Sequence, residues 1–229
     1  MSTYNRKDRL YQQAKSEGYR SRASYKLIEI DKKFKILKNG FTVIDLGCFP
    51  GGWLQVSLER VGAKGKVIGI DLKDVDPLTV KVGQLPVVAE IIKGDIESEE
   101  SLSQIKELCD GRAHVVLSDL SPPLSGISFR DTHYSCELVR MAFEFTGKIL
   151  SQNGSFVAKI FPSPEADELA EYIAKYFNNF TRENLKSTRT SSNEYYFVGR
   201  GFDRQKYISE LDQEEVELSP LWTPFDKKK

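Results

Sequence analysis

The sequence predicts an α/β protein built on a mostly parallel seven-stranded sheet with helices on both faces. Three observations carry this. Short β-branched or aromatic runs alternate with helical segments from residue 41 onward. The first run ends in a glycine-rich turn that opens a helix, DLGCFPGGW at 45–53. Two late runs follow each other with no clear helix between them, as expected of an antiparallel hairpin closing the sheet edge.

Ahead of the sheet, SRASYKLIEIDKKF (21–34) sets apolar residues at 23, 27, 30 and 34, close to helical spacing, with Ser21 placed as N-cap. The expected strands are FTVIDL (41–46), KVIGIDL (66–72), VVAEIIKG (87–94), AHVVLSDL (113–120) and GSFVAKIF (154–161). Helices are expected over 52–61, 98–109, 131–151 and 165–177, and the last two strands near 180–186 and 194–200. Residues 203–229 carry seven acids, five bases and two prolines, so poor order is expected at the very end. With 229 residues, 40% of them hydrophobic, the chain reads as one domain. Its parts are a basic helical arm (1–40), a core (41–202) and a tail (203–229).

Composition narrows the classes. No apolar run approaches the roughly 20 residues needed to span a bilayer, and the polar N-terminus lacks a secretory pattern. A cytoplasmic monomer without membrane contact is expected. Cys48, Cys109 and Cys136 have no CxxC spacing and suit a reducing compartment. His114 and His133 lie far from any cysteine pair, so no metal site is expected. Net charge is zero, yet residues 1–40 hold eleven Lys/Arg against four acids, leaving an acidic remainder. A basic arm on an acidic globule suits a nucleic-acid partner; the bland reading is a solvated helix pair.

Glycines 47, 51 and 52 let the backbone approach a ligand where open α/β sheets bind one. A dinucleotide site wants G-x-G-x-x-G, and the run Gly47-Cys48-Phe49-Pro50-Gly51-Gly52 departs from it. A nucleoside without a pyrophosphate suits this turn better. Asp71, at the end of the second strand, is placed to accept hydrogen bonds from both ribose hydroxyls. Asp95, in KGDIE, is placed to hold an adenine amino group. Together they describe an adenosine pocket and point to S-adenosyl-L-methionine.

YRSRASYKLIEI, DLGCFPGGW, LSDLSPPLSG, VAKIF and NEYYFVG occur in the order expected of FtsJ-like RNA 2′-O-ribose methyltransferases, which the chain resembles from about residue 4 to 202. The resemblance implies a Rossmann-like methyltransferase fold and S-adenosyl-L-methionine as cofactor. It implies RNA as partner, most often large-subunit ribosomal RNA, with tRNA as the alternative. By motif match it assigns cofactor contacts to Gly51, Trp53, Asp71, Asp95 and Asp119, and a catalytic tetrad to Lys26, Asp119, Lys159 and Glu194. Cys48-Phe49 departs from the two small residues many members carry, and the tail after 202 matches nothing in the pattern.

The tetrad also makes sense as chemistry. Asp119 and Lys159 end adjacent expected strands, Glu194 opens the last one, and Lys26 arrives on the N-terminal helix. Lys26 or Glu194 alone would read as a surface charge. Lys159, inside the apolar run FVAKIF, needs a reason to be there. A ribose 2′-oxygen attacking a sulfonium methyl gains from alignment, and its proton must leave. A free lysine titrates near ~10.4, so Lys159 is either a neutral base or a charged stabiliser of the alkoxide. Residues 121–135 read as a loop forming a substrate wall, Trp53 and Phe129 as possible base-stacking surfaces, and Lys15, Arg20 and Arg22 as phosphate contacts. An NAD-dependent oxidoreductase and a non-enzymatic RNA-binding protein are the competing classes.

Overall fold

A computed structural model describes residues 9–189 and 192–214. Helices α1 (Arg9–Ser16) and α2 (Ser24–Phe34) precede β1 (Thr42–Leu46), α3 (Gly52–Val61) and β2 (Lys66–Asp71). A small hairpin, β3 (Thr79–Val82) and β4 (Leu85–Val88), leads into β5 (Glu90–Lys93), α4 (Glu99–Leu108) and β6 (Ala113–Ser118). Then come α5 (Ser128–Ile149), β7 (Leu150–Ile160), α6 (Pro164–Ala174), β8 (Phe177–Glu183), β9 (Tyr195–Phe202) and α7 (Arg204–Glu214).

The main sheet has the order β5-β2-β1-β6-β7-β9-β8. Its first five strands are parallel, and β9 runs antiparallel to both neighbours. This is the Rossmann-like α/β architecture with helices on both faces. Period-two alternation explains how one strand serves two cores. Ile44, Leu46 and Val116 face Phe143 and Phe156 on one side, while Val43, Leu117 and Val157 face Leu54 and Tyr196 on the other. Ser98 caps α4 by accepting from Ser101 N (3.0 Å), and Ser163 caps α6 through Ala166 N (3.1 Å), ahead of Pro164. Strand order reverses between β1 and β6, which makes their carboxyl ends the switch point.

The structure differs from expectation in five places. Ser21 is not the N-cap of α2. Ala23 is, without a side-chain bond, and the Ser24 hydroxyl donates instead to Gly52 O (3.1 Å), tying α2 to α3. VVAEIIKG is two strands, because Leu85–Val88 pairs locally with Thr79–Val82 and only Glu90–Lys93 joins the main sheet. The 121–135 loop is shorter, since α5 starts at Ser128. Asp131 on its first turn accepts from Ser125 N (2.8 Å) and Gly126 N (3.2 Å), folding the loop back. The edge hairpin begins earlier and ends later than read, at Phe177 and Phe202. Finally, α7 forms the start of the tail, where the sequence reading assigns no element. Tyr207 is buried over Gly147, where a Cβ would sit 2.1 Å from its ring. The poor order expected at the very end concerns residues outside those described. No described helix is long and apolar enough to cross a membrane.

Candidate active site

The turn after β1 is shaped by contacts that leave no room for side chains. Gly47 has φ 75°, and a Cβ there would lie 2.5 Å from Leu120 Cδ2, so the loop after β6 closes on bare backbone. Gly51 (φ 106°) lies under the Arg20 guanidinium, which donates to Asp76 O (2.7 Å) and Pro77 O (2.6 Å). The Cys48-Phe49 departure is accommodated in opposite directions. Cys48 is buried against Gly69, while Phe49 stands half-exposed at the rim with Lys73 Nζ 5.0 Å over its ring.

A crevice of about 330 Å³ opens at the switch point, bounded by Gly47, Asp71, Gly94, Ile96, Asp119 and Met141 among others. Asp71 is fixed by two backbone donors, Phe49 N to Oδ2 and Lys73 N to Oδ1, both 2.9 Å. Each carboxylate oxygen keeps a lone pair for a further donor. Asp95 is exposed and accepts from Glu97 N (3.0 Å); the crevice wall is made by its neighbours Gly94 and Ile96. Asp45, one residue before the end of β1, is buried, and neither of its oxygens has a partner among the described residues. Burial pushes its carboxyl well above the usual range, and the nearby charges of Asp119 and Asp71 push it further. Three carboxylates thus gather at this end of the sheet.

Beside the crevice, all four tetrad residues come together. Lys159 Nζ donates to the Asp119 carbonyl (2.8 Å) and lies 3.3 Å from Asp119 Oδ1, with 6% of its side chain exposed. Lys26 pairs closely with Glu194 Oε1, both largely buried. Between the two pairs stands Tyr196, which sequence reasoning missed. Its hydroxyl donates to Asp119 Oδ1 (3.0 Å), and Lys26 Nζ lies 5.6 Å over its ring. Tyr196 is the cross-strand partner of Lys159 and shares a strand face with Glu194, two residues away. That i, i+2 spacing was the available signal. Burial alone would raise the Asp119 carboxyl, but Lys159, Lys26 and the Tyr196 hydrogen bond outweigh it and hold it below the usual range. Burial, and then the charges of Asp119 and Glu194, push the Tyr196 phenol well up, so it remains a donor.

A second cavity of about 430 Å³ lies across the tetrad, walled by Leu124, Phe161, Asn193 and Glu194. Ser121 lines both spaces. One sequence reading does not survive. Trp53 is buried, donates from Nε1 to Ala23 O (2.8 Å) and pins α2 to α3, so its ring is no base-stacking surface. Phe129 lies on the first turn of α5, 84% exposed, and lines neither space. Arg20 and Arg22 are engaged with backbone carbonyls, Arg22 with Ser187 O (2.6 Å), while Lys15 is exposed on α1.

Fold and site define a Rossmann-like protein with a nucleoside-sized crevice beside a buried Lys-Asp-Lys-Glu cluster. The family model described as FtsJ-like methyltransferase matches residues 19–202, and the chain belongs to that family. It is 40% identical over 211 residues to ribosomal RNA large subunit methyltransferase E of Methanococcus aeolicus, covering 92% of this chain and 76% of the relative. The protein of the same name from Methanobrevibacter smithii is 40% identical over 199 residues, 87% of this chain and 92% of the relative. A Plasmodium falciparum protein with the provisional description of ribosomal RNA methyltransferase has a solved structure that superposes with a TM-score of 0.71 at 32% identity. That match covers 80% of this chain and 98% of the other.

Proposed function

We propose that the chain methylates a ribose 2′-hydroxyl of RNA, with large-subunit ribosomal RNA as substrate and S-adenosylmethionine as methyl donor. The observation that carries this is Lys159, buried against Asp119, with Asp119 lining the crevice and Glu194 lining the second cavity. Charge chooses the cofactor. The carboxylates of Asp71 and Asp119 would repel a pyrophosphate, whereas a ligand bearing a sulfonium and an ammonium is attracted. The turn also lacks the dinucleotide glycine pattern. When bound, S-adenosylmethionine supplies an electrophilic methyl group.

The residues of the chain do the rest. Asp71, already oriented by two amides, accepts from ribose hydroxyls of the donor, and the crevice walls hold the adenosine. Two of the three N–H bonds of a protonated Lys159 are directed to Asp119, leaving one for the acceptor oxygen. Lys159 thereby positions that oxygen and either takes its proton or carries the charge that develops on it. Tyr196 and Lys26 keep Asp119 ionised and in place. The three cysteines are free and buried, which suits work in a reducing, cytoplasmic setting.

The test is product identification. Large-subunit ribosomal RNA incubated with the protein and labelled S-adenosylmethionine, then digested to nucleosides, should yield a labelled 2′-O-methylnucleoside. Label on a base, or on tRNA alone, contradicts the proposal.

A further inference from the structure

At the opposite end of the sheet a second concave site has no role in the chemistry above. A pocket of about 250 Å³ lies where the amino ends of β1, β6 and β7 meet the end of β9 and the foot of α2. Its lining includes Lys35, Lys38, Arg200 and His114 and not one Asp or Glu. Among the described residues, none of the three cations has a carboxylate partner.

Two of them are instead held by aromatic faces. Arg200 Cζ lies 5.3 Å over Phe34, and Lys38 Nζ lies 5.6 Å over Phe41. A cation on a ring is held in position without its charge being cancelled. The Nε of Arg200 is buried and makes no hydrogen bond. His114 stacks on Phe41 at 4.5 Å and accepts from Thr42 N through Nδ1 (3.0 Å), which leaves Nε2–H as its donor. A guanidinium, two ammonium groups and an imidazole donor are complementary to a tetrahedral oxyanion.

We propose that this pocket is a second RNA contact that holds a backbone phosphate away from the target ribose. It rests on the RNA reading above. Helix α2 links the two sites, carrying Lys26 near its start and ending at Lys35. Nine residues at 1.5 Å each give about 14 Å along that helix, a span that a short run of RNA backbone covers. An RNA that presents its ribose to Lys159 is thereby long enough to place a neighbouring phosphate on Lys35, Lys38 and Arg200.

The test compares wild type with the double variant Lys35→Ala/Lys38→Ala, using a labelled large-subunit ribosomal RNA transcript over a salt series. S-adenosylmethionine calorimetry serves as the fold control and should be unchanged. The variant should bind the transcript about 10-fold more weakly, with a salt slope shallower by about one. Inorganic phosphate should compete with the transcript on wild type and less on the variant. An identical affinity and slope would overturn the second contact while leaving the function intact. Phosphate binding that is lost in the variant, without a change in RNA affinity, would make the pocket a small-anion site and overturn it too. Wild type that binds no RNA would sink the functional reading itself, and this proposal with it.

Discussion

The two ends of the sheet treat their cations in opposite ways. At the carboxyl end Lys159 lies against Asp119 and Lys26 against Glu194, all four largely buried. At the amino end Lys35, Lys38 and Arg200 surround a pocket without a single acid in its lining. A paired, desolvated cation is set in one geometry, and the removal of either partner strands the other. An unpaired cation on an aromatic face keeps its field for a ligand from outside. The comparison teaches that the charge of this chain is sorted by task. Its net value of zero hides a cluster of paired, buried cations at one end and a group of cations without acidic neighbours at the other.

The sharpest way to break this contrast is at Lys159. Lys159→Ala should lower methyl transfer by about 10²- to 10⁴-fold, the usual worth of a positioned proton-transfer group, with S-adenosylmethionine affinity retained. Lys159→Arg keeps a charge that does not deprotonate. Substantial activity in that variant, with a flat pH–rate profile, assigns electrostatic stabilisation; a rate that rises to a plateau in the wild type assigns a base. Next comes Asp71→Ala. Loss of a charged acceptor should weaken S-adenosylmethionine by about 10- to 100-fold, in line with roughly 1.5–3 kcal/mol for hydrogen bonds to charged groups, and calorimetry reads it directly. RNA affinity should not move.

A smaller effect is expected from Tyr196→Phe. It removes one hydrogen bond from Asp119 while keeping the buried ring, so the rate should fall about 10-fold or less. The acid limb of the pH–rate profile should move upward as Asp119 becomes easier to protonate. A rate loss with an unmoved profile would make Tyr196 mere packing.

The smallest effects lie in stability against pH, where two neighbouring acids carry opposite signs. The Asp119 carboxyl is held below its ordinary value, so its contribution is present above the unfolded carboxylate range and is lost as pH falls through the lowered value. The Asp45 carboxyl is pushed above, so folding is favoured while it is protonated, and that advantage fades as pH rises from about 4 toward the raised value. In thermal melts without cofactor, Asp45→Asn should therefore gain stability relative to wild type as pH rises, and Asp119→Asn should lose acid sensitivity below about pH 4. Parallel responses in both variants would contradict the charge assignment.

What was legible in the sequence follows from where polarity breaks a pattern. β1 is buried at every position and β6 at every position but His114, because both faces are covered, and their apolar runs were read as strands. Lys159 and Asp119 stood out because a charge in or at the end of such a strand costs free energy unless it is used. Tyr196 did not stand out, since an aromatic in a strand is ordinary and only its cross-strand partner gives it a role. The β3–β4 hairpin was invisible for a similar reason, because Leu85–Val88 carries the same β signal whether its partner is local or the main sheet. α7 was missed because it is a polar helix in which, among the described residues, Tyr207 is buried while Ile208 and Leu211 are exposed. The amino-end pocket draws its lining from the ends of one helix and three strands together with the turns beside them, so that no single segment carries its signal.

The division of labour between the two ends is tested most directly by single-turnover methyl transfer at saturating S-adenosylmethionine, with the ribosomal RNA concentration varied. Lys159→Ala should lose the saturating rate by about 10²-fold or more while keeping the half-saturating RNA concentration. Lys35→Ala/Lys38→Ala should keep the saturating rate and need about 10-fold more RNA to reach it. A Lys159→Ala protein that is folded, RNA-bound and as fast as wild type would contradict the account.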